Sequence, residues 1–304
     1  MTVLRRILRT VPLAIALAGV ALVVPDSAVH PTDVALMKVQ VAEGTDLGKL
    51  AHGKDIVTVL AVGSDARPGE DMLHTRGDAL HLIFLDLKTH AAADIGIPRD
   101  SYVSIPGVGS DRINASLYYG GPDLLGQTVG NLVGVQPDYV FVTRFLYFQH
   151  MVNAIGGITV HNPISFTDSA IGSFDAGTLH LNGLNALKFS RIRHPLAGGD
   201  FDRSANQDRV IRGIQEQVRA HQGDPGFIAR GVLSVMQNLA TDLSPSELFR
   251  FAHVLADIDP AKVTNCVVHG GFADINGASV VTPDVAAAQR YGDEARDDAT
   301  LESC

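Results

Sequence analysis

The chain has 304 residues, 46% of them hydrophobic and 19% charged, with 24 Lys and Arg against 33 Asp and Glu for a formal net charge of −9. Such a composition belongs to a globular protein with one good core or two modest ones and excludes a disordered chain. The acidic balance excludes the broad basic face that binds nucleic acid, so an anion is bound only in a local pocket and no nucleic-acid partner is expected.

At the N-terminus, Arg5, Arg6 and Arg9 precede an apolar run from Val11 to Val24 that ends at Pro25. Positive charge ahead of such a run marks export with the N-terminus left in the cytoplasm. The run is shorter than the roughly 20 residues that span a bilayer. Residues 1–25 therefore read as a cleaved signal peptide or a short membrane anchor, and both place the remainder outside the cytoplasm. Residues 26–52 are polar and irregular, a spacer.

The folded part opens with three strand candidates, "DIVTVLAVGSD", "DALHLIFLDLKT" and "AAADIGIPRD", the first two separated by the Pro- and Gly-containing loop "ARPGEDMLHTRG". The segment "INASLYYGGPDLLGQTVGNLVG" reads as a helix broken at Gly-Gly-Pro. "PDYVFVTRF" follows as a strand, "FLYFQHMVNAIGG" as a helix and "ITVHN" as a strand. "LNGLNALKFS" and "SANQDRVIRGIQEQVRAHQ" add helices, then "FIARGVLSVMQNLATDL" and "SPSELFRFAHVLADI", the last opening with the capping signature Ser244, Pro245, Glu247. A strand over 263–268 and a helix from Pro283 close the chain. Strands alternating with helices predict an α/β fold, a mixed central β-sheet flanked by helices. Residues 53–222 form the main domain, and residues 223–304 are expected to be a helical extension of it.

The two cysteines, Cys266 and Cys304, can pair in an exported protein and would pin the C-terminal tail to the strand "VTNCVVHG"; the alternative is one buried and one loose thiol. No CxxC or Cys/His cluster offers a structural zinc site.

Four charged clusters fall at predicted strand or helix ends: Asp65 and Arg67 in "GSDAR", Arg76 and Asp78 in "HTRGD", Arg99 and Asp100 in "IPRD", and Arg191, Arg193, Arg203 and Gln207 in "SRIRHPLAGGDFDRSANQDR". Sheet ends gather ligand-binding groups in α/β folds, whereas a single Arg-Asp neighbour pair is most often a surface contact worth little. On a helix, Arg203 and Gln207 share a face while Arg209 and Arg212 turn elsewhere and read as solvated or salt-bridged. If the clusters converge, their guanidiniums suit a diphosphate or phosphodiester, with Asp65 and Asp78 holding a hard cation such as Mg²⁺. Phosphoryl transfer needs chiefly positioning and charge neutralisation, so such a site is chemically sufficient without a Ser-His-Asp set. No Walker loop is present.

These segments, together with "GIPRDSYVSIPGVGSDRINASLYYGGPDLL", "AIGGITV", "LNGLNALKFSRIR" and "DFDRSANQDRVI", resemble in order and spacing the LytR-CpsA-Psr domain, over roughly residues 55–220. The resemblance implies an extracytoplasmic, Mg²⁺-dependent phosphotransferase that takes a polyprenyl-pyrophosphate-linked glycopolymer and attaches it to peptidoglycan through a phosphodiester, releasing polyprenyl phosphate. It also implies an apolar pocket for the polyprenyl chain. Carried over by motif, Asp65, Asp78, Arg99 and Arg193 would be catalytic, Asp65 and Asp78 metal-associated, and Arg67, Arg76, Arg99, Arg191, Arg193, Arg203 and Gln207 the pyrophosphate-binding set. The last motif departs from the family's common Arg-x-x-Arg-Gln-Gln, since Asn206, Gln207 and Asp208 stand in its final positions. Two rival activities use the same groups: a pyrophosphatase on the same lipid carrier, and a module that binds wall polymer without breaking a bond.

Overall fold

The structure is a computed structural model that describes residues 55–193, 196–302 and 304. The expected signal or anchor segment (1–25) and spacer (26–52) lie outside the described residues. Among the described residues no helix is long and apolar enough to cross a membrane.

In chain order the elements begin with β1 (Ile56–Ser64), β2 (Gly77–Asp86), β3 (Ala92–Gly96), β4 (Tyr102–Ile105), β5 (Gly109–Arg112) and α1 (Ala115–Val133). Next come β6 (Tyr139–Arg144), α2 (Phe145–Ala154), β7 (Ile158–Asn162), β8 (Phe166–Asp168), β9 (Gly172–Phe174), β10 (Gly177–Leu181) and α3 (Gly183–Arg191). The chain continues through α4 (Asp200–Ala220), α5 (Pro225–Asn238), α6 (Pro245–Asp257), β11 (Val263–Val267), β12 (Gly270–Ile275), β13 (Ala278–Pro283) and α7 (Val285–Asp298).

Five strands form the central sheet in the order β11-β3-β2-β1-β6. β2 is antiparallel to both β1 and β3, while β6 runs parallel to β1 and β11 parallel to β3. The sheet is therefore mixed, and both of its faces are apolar because helices cover both. On one face Leu60, Leu82 and Ile95 join Leu125 and Val129 of α1 and Tyr291 of α7 in one buried cluster. On the other face Val57 and Val59 join Val152 of α2, Val210 of α4, Val232 of α5 and Leu248 of α6. Side chains alternate along each strand, so one β-branched run supplies both cores. The expected break in α1 is present: Gly120 and Gly121 leave the helical region, Gly121 at φ +65°, a conformation that favours glycine.

The C-terminal segment is helical in part, with the expected strand near 263–268 and a hairpin the sequence reading did not include. Besides α5, α6 and α7 it supplies β11, whose Cys266 sits opposite Ile95 of β3, and the hairpin β12–β13. Without β11 the outer edge of β3 would expose a row of unpaired backbone groups, and the β-branched run "VTNCVV" covers it. Cys266 and Cys304 are joined in a disulfide with Cα atoms 5.4 Å apart and a sequence separation of 38. Closing a loop of that length stabilises the fold by about 4 kcal/mol through the unfolded chain. Cys304→Ser should accordingly lower the unfolding free energy by a similar amount, measured by denaturant titration of the oxidised protein.

α6 begins with the full capping box: the Ser244 backbone N–H donates to Glu247 Oε2 at 2.8 Å while Ser244 Oγ accepts from the Glu247 N–H at 3.4 Å. Two residues earlier, burial pushes the Asp242 carboxyl up to about 6, with the charge of Glu247 adding to it. A carboxyl raised in the folded state binds protons that the unfolded chain has already lost, so its contribution to stability fades as pH rises from about 4 through 6. Asp242→Asn should raise Tm at pH 7.5 and leave it unchanged near pH 4.

Candidate functional site

The site forms where β1 and β2 open into their connecting loop. Asp65 follows the last residue of β1, and its backbone N–H donates to Arg76 O at 3.0 Å, so the two ends of the loop face each other. The β1–β2 register shifts between Gly63 and Ser64, which alters the alternation next to Asp78, the second residue of β2. Asp78 is 4% exposed. Its carboxylate is held from both sides: Oδ1 accepts from Arg99 Nη1, and Oδ2 accepts from Arg191 Nε at 3.3 Å.

Arg99 comes from the turn after β3 and Arg191 from the last position of α3, so one carboxylate ties together three parts of the chain. The pattern then extends outward. Asp100 lies 3.8 Å from Arg99 Nε, 3.7 Å from Arg112 Nη1 and 3.9 Å from Arg193 Nη1. Arg193 Nε is 3.0 Å from Asp200 Oδ1, and Arg203 Nη2 is 2.9 Å from Asp200 Oδ2. On the opposite side the Arg191 guanidinium sits 4.2 Å over the ring of Phe145, and Arg67 approaches the same ring at 5.7 Å. A cation over a ring face is attracted by its quadrupole, which orients both forks.

The four sequence clusters thus meet in one place, and the structure sorts their members by exposure. Arg99, Arg191 and Arg193 keep 25%, 36% and 35% of their side chains in contact with solvent, while Arg203 keeps 5%. Arg203 is buried against Asp200 and supports Arg193 through it. Gln207 is likewise buried. Its Nε2 donates to Ser190 O at 3.2 Å and Asp78 O at 3.4 Å, clamping the end of α3 to β2. These two residues position the open arginines from beneath, since neither presents its polar end to solvent.

Electrostatics agrees with this geometry. Burial, then the charge of Asp78, pushes the Asp65 carboxyl above its ordinary value, against the pull of Arg99, Arg67 and Arg76. Burial raises Asp200 although Arg203 and Arg193 favour its charged form, and burial lowers Arg203. Two neighbouring carboxyl groups beside arginines make a hard, oxygen-rich donor pair. A carboxylate offers about four lone-pair positions, so Asp78 retains acceptor capacity beyond its two arginines. By donor chemistry, Asp65 and Asp78 offer the carboxylate oxygens that a hard cation such as Mg²⁺ takes as ligands.

Below the charged site, between the sheet and α2, α4, α5 and α6, lies an apolar cavity of about 290 Å³. Val59, Ala61, Phe141, Phe148, Val218 and Phe251 are among its lining residues. Ala61, on the cavity wall, and Asp65, just past the end of β1, are four residues apart, about 13 Å at the rise of an extended chain.

Asp200 and Phe145 are functional neighbours that residue patterns did not single out. Asp200 stands three residues before Arg203 on α4, a spacing that could have revealed it. Phe145 carries no such signal, because its two arginines lie 78 and 46 positions away in the chain.

The LytR_cpsA_psr family profile matches residues 28–297. A polyisoprenyl-teichoic acid–peptidoglycan teichoic acid transferase, TagU, of Bacillus anthracis is 34% identical over 207 residues, covering 67% of this chain. The match spans 66% of that relative, just under two thirds of its length. The crystal structure of B. subtilis TagU superposes with a TM-score of 0.63 at 28% identity, over 83% of this chain and 100% of that one. TagT bound to LI-WTA superposes with a TM-score of 0.68 at 25% identity, over 86% of this chain and 96% of that one. The ordered motifs, the mixed sheet between helices and the extent of these matches make this chain a member of the LytR-CpsA-Psr family.

Proposed function

We propose that this protein is a phosphotransferase that attaches a polyprenyl-pyrophosphate-linked anionic glycopolymer to peptidoglycan through a phosphodiester, releasing polyprenyl phosphate. The observation that carries this reading is the set of partly exposed guanidiniums gathered around Asp78, on a sheet whose β1 also lines an apolar cavity through Val59 and Ala61. A lipid diphosphate has the matching shape: an apolar chain for the cavity and a doubly anionic head for the arginine forks. The relative named TagU acts on polyisoprenyl-teichoic acid and peptidoglycan, which supports the same substrate class. The N-terminal segment would hold the domain at the extracytoplasmic face of the membrane, or release it there after cleavage.

In the reaction a sugar hydroxyl of peptidoglycan forms a bond to the phosphorus nearest the glycopolymer, and the bridging P–O bond to polyprenyl phosphate breaks. Arg99, Arg191 and Arg193 bind the non-bridging oxygens and the departing phosphate, whose negative charge grows as the bond opens. Arg67 and Arg76 close the outer side. Asp78 holds Arg99 and Arg191 in register, and Asp200 does the same for Arg193. Asp65, half-buried with its carboxyl raised by burial and by Asp78, would be the carboxyl that takes the hydroxyl proton. In a loose transition state that proton leaves late, so positioning outweighs basicity. An Mg²⁺ ion held by Asp65 and Asp78 would supply charge neutralisation on the diphosphate.

The test uses the full chain in detergent with a lipid-linked glycopolymer labelled in its sugar, with and without peptidoglycan. Label entering insoluble peptidoglycan, matched by polyprenyl phosphate release, is the expected result. Free sugar phosphate formed equally in both arms would make the protein a hydrolase, and binding with no bond broken would make it a recognition module.

A further inference from the structure

Away from the arginines, a second polar cluster lies buried on the cavity side of the sheet. His81 of β2, Asp94 of β3 and Asp208 of α4 are 1%, 6% and 5% exposed. His81 Nδ1 is 3.1 Å from Asp94 Oδ1 and 3.0 Å from Asp208 Oδ1, and one ligand atom of each residue lies within 4.8 Å of the others. Two carboxylates buried without a guanidinium or ammonium in contact are costly unless a cation answers them.

The hydrogen bonds around the cluster say which nitrogen is free. Gln207 Nε2 is committed to two carbonyls, Asp78 O and Ser190 O. Its Oε1 therefore faces His81 Nε2, at 3.2 Å, and that nitrogen must carry the proton. Nδ1 is left to meet both carboxylates. A proton there serves only one acceptor well, and Asp208 Oδ1 is a buried oxygen with no hydrogen-bond partner. Asp208 Oδ2 is held separately by Asn265 Nδ2 of β11 at 3.3 Å.

We propose that His81 Nδ1, Asp94 Oδ1 and Asp208 Oδ1 form a binding site for a borderline divalent transition-metal ion, with Zn²⁺ as the representative case. Metal–nitrogen and metal–oxygen bonds of about 2.0–2.2 Å place tetrahedral ligands about 3.4 Å apart, near the 3.1 and 3.0 Å that separate His81 Nδ1 from the two oxygens. One imidazole with two carboxylates suits Zn²⁺ or Mn²⁺ better than the all-oxygen shells of Mg²⁺ and Ca²⁺. The outer contacts have the form that metal sites use: the second ring nitrogen of the histidine donates to Gln207, and the second oxygen of one carboxylate accepts from Asn265. The ion would join β2, β3 and α4, and through Gln207 it would stiffen the clamp beneath Asp78.

The test does not depend on the transferase reading, because metal content and thermal stability are measured without substrate. The full chain is stripped with EDTA, loaded with Zn²⁺ in the presence of excess Mg²⁺, desalted and assayed for bound zinc and for Tm. Wild type should retain about one Zn²⁺ more per chain than Asp208→Asn or His81→Gln, with a Tm that rises on loading only in wild type. Asn265→Ala, which leaves all three ligands in place, should weaken zinc binding by about 10- to 100-fold. It keeps the question answerable should either ligand variant fail to fold. Asp65→Asn should bind zinc as wild type does. Equal zinc content in wild type and all cluster variants, or a wild-type Tm indifferent to zinc, would overturn the proposal and leave the cluster as an imidazolium shared between two carboxylates.

Discussion

Asp78→Asn is expected to lower transfer by about 10²- to 10³-fold, the scale on which one preorganised electrostatic contact acts in a reaction of this kind. The loss would come through the arginines. Asp78 engages Arg99 and Arg191 with its two oxygens, and an amide presents only one acceptor and no charge, so one fork loses its register. The same variant should remain folded. Breaking a fully buried ion pair costs about 3–5 kcal/mol, but Arg99 and Arg191 are 25% and 36% exposed and water can take over part of their solvation. A stability loss of about 1–2 kcal/mol is expected after that screening. Kinetics with labelled lipid-linked substrate, set beside Tm, separates the two effects. A transfer rate within threefold of wild type would remove Asp78 from the centre of the site.

Gly231→Phe is expected to separate lipid binding from diphosphate binding. Gly231 lies on α5 in the wall of the apolar cavity, and a Cβ there would meet only Ile155 Cγ2, at 3.6 Å, an ordinary contact. The larger side chain would grow into space a polyprenyl chain would fill. Excluding two or three methylene-sized groups costs about 2 kcal/mol, roughly 30-fold in kcat/KM for the lipid substrate. Replacing glycine inside a helix removes a local penalty of up to about 1 kcal/mol, so Tm should hold or rise. Binding of a short, lipid-free diphosphate analogue, read by calorimetry, should not change. Unaltered kinetics with the lipid substrate would show that the chain does not use this cavity.

Much of the fold was legible because its signals are local. The β-branched runs of β1, β2 and β3, the Gly-Gly-Pro break in α1 and the capping box of α6 each lie within a few residues of one another, and the structure places them as read. In the C-terminal segment the strand over 263–268 was legible, but its partner was not: β11 finds its place only because β3 offers an edge to cover, and the β12–β13 hairpin went unread. Charged clusters at strand ends were visible, but their inner order was not. Arg203 and Gln207 share a helix face with their site as expected, yet only packing shows both turned inward.

The sequence by itself determined the residue types available for anion binding, the alternation that makes a two-faced sheet, and the acidic balance that confines anion binding to a pocket. Tertiary structure alone decided which carboxylate holds which arginine, because Asp78 and Arg191 are 113 positions apart. It also opened the cavity and brought His81, Asp94 and Asp208 together from two strands and a helix. The reason is one of range: periodicity and capping act over a turn or two of chain, whereas burial and ion pairing are set by whatever the folded backbone brings within a few ångströms.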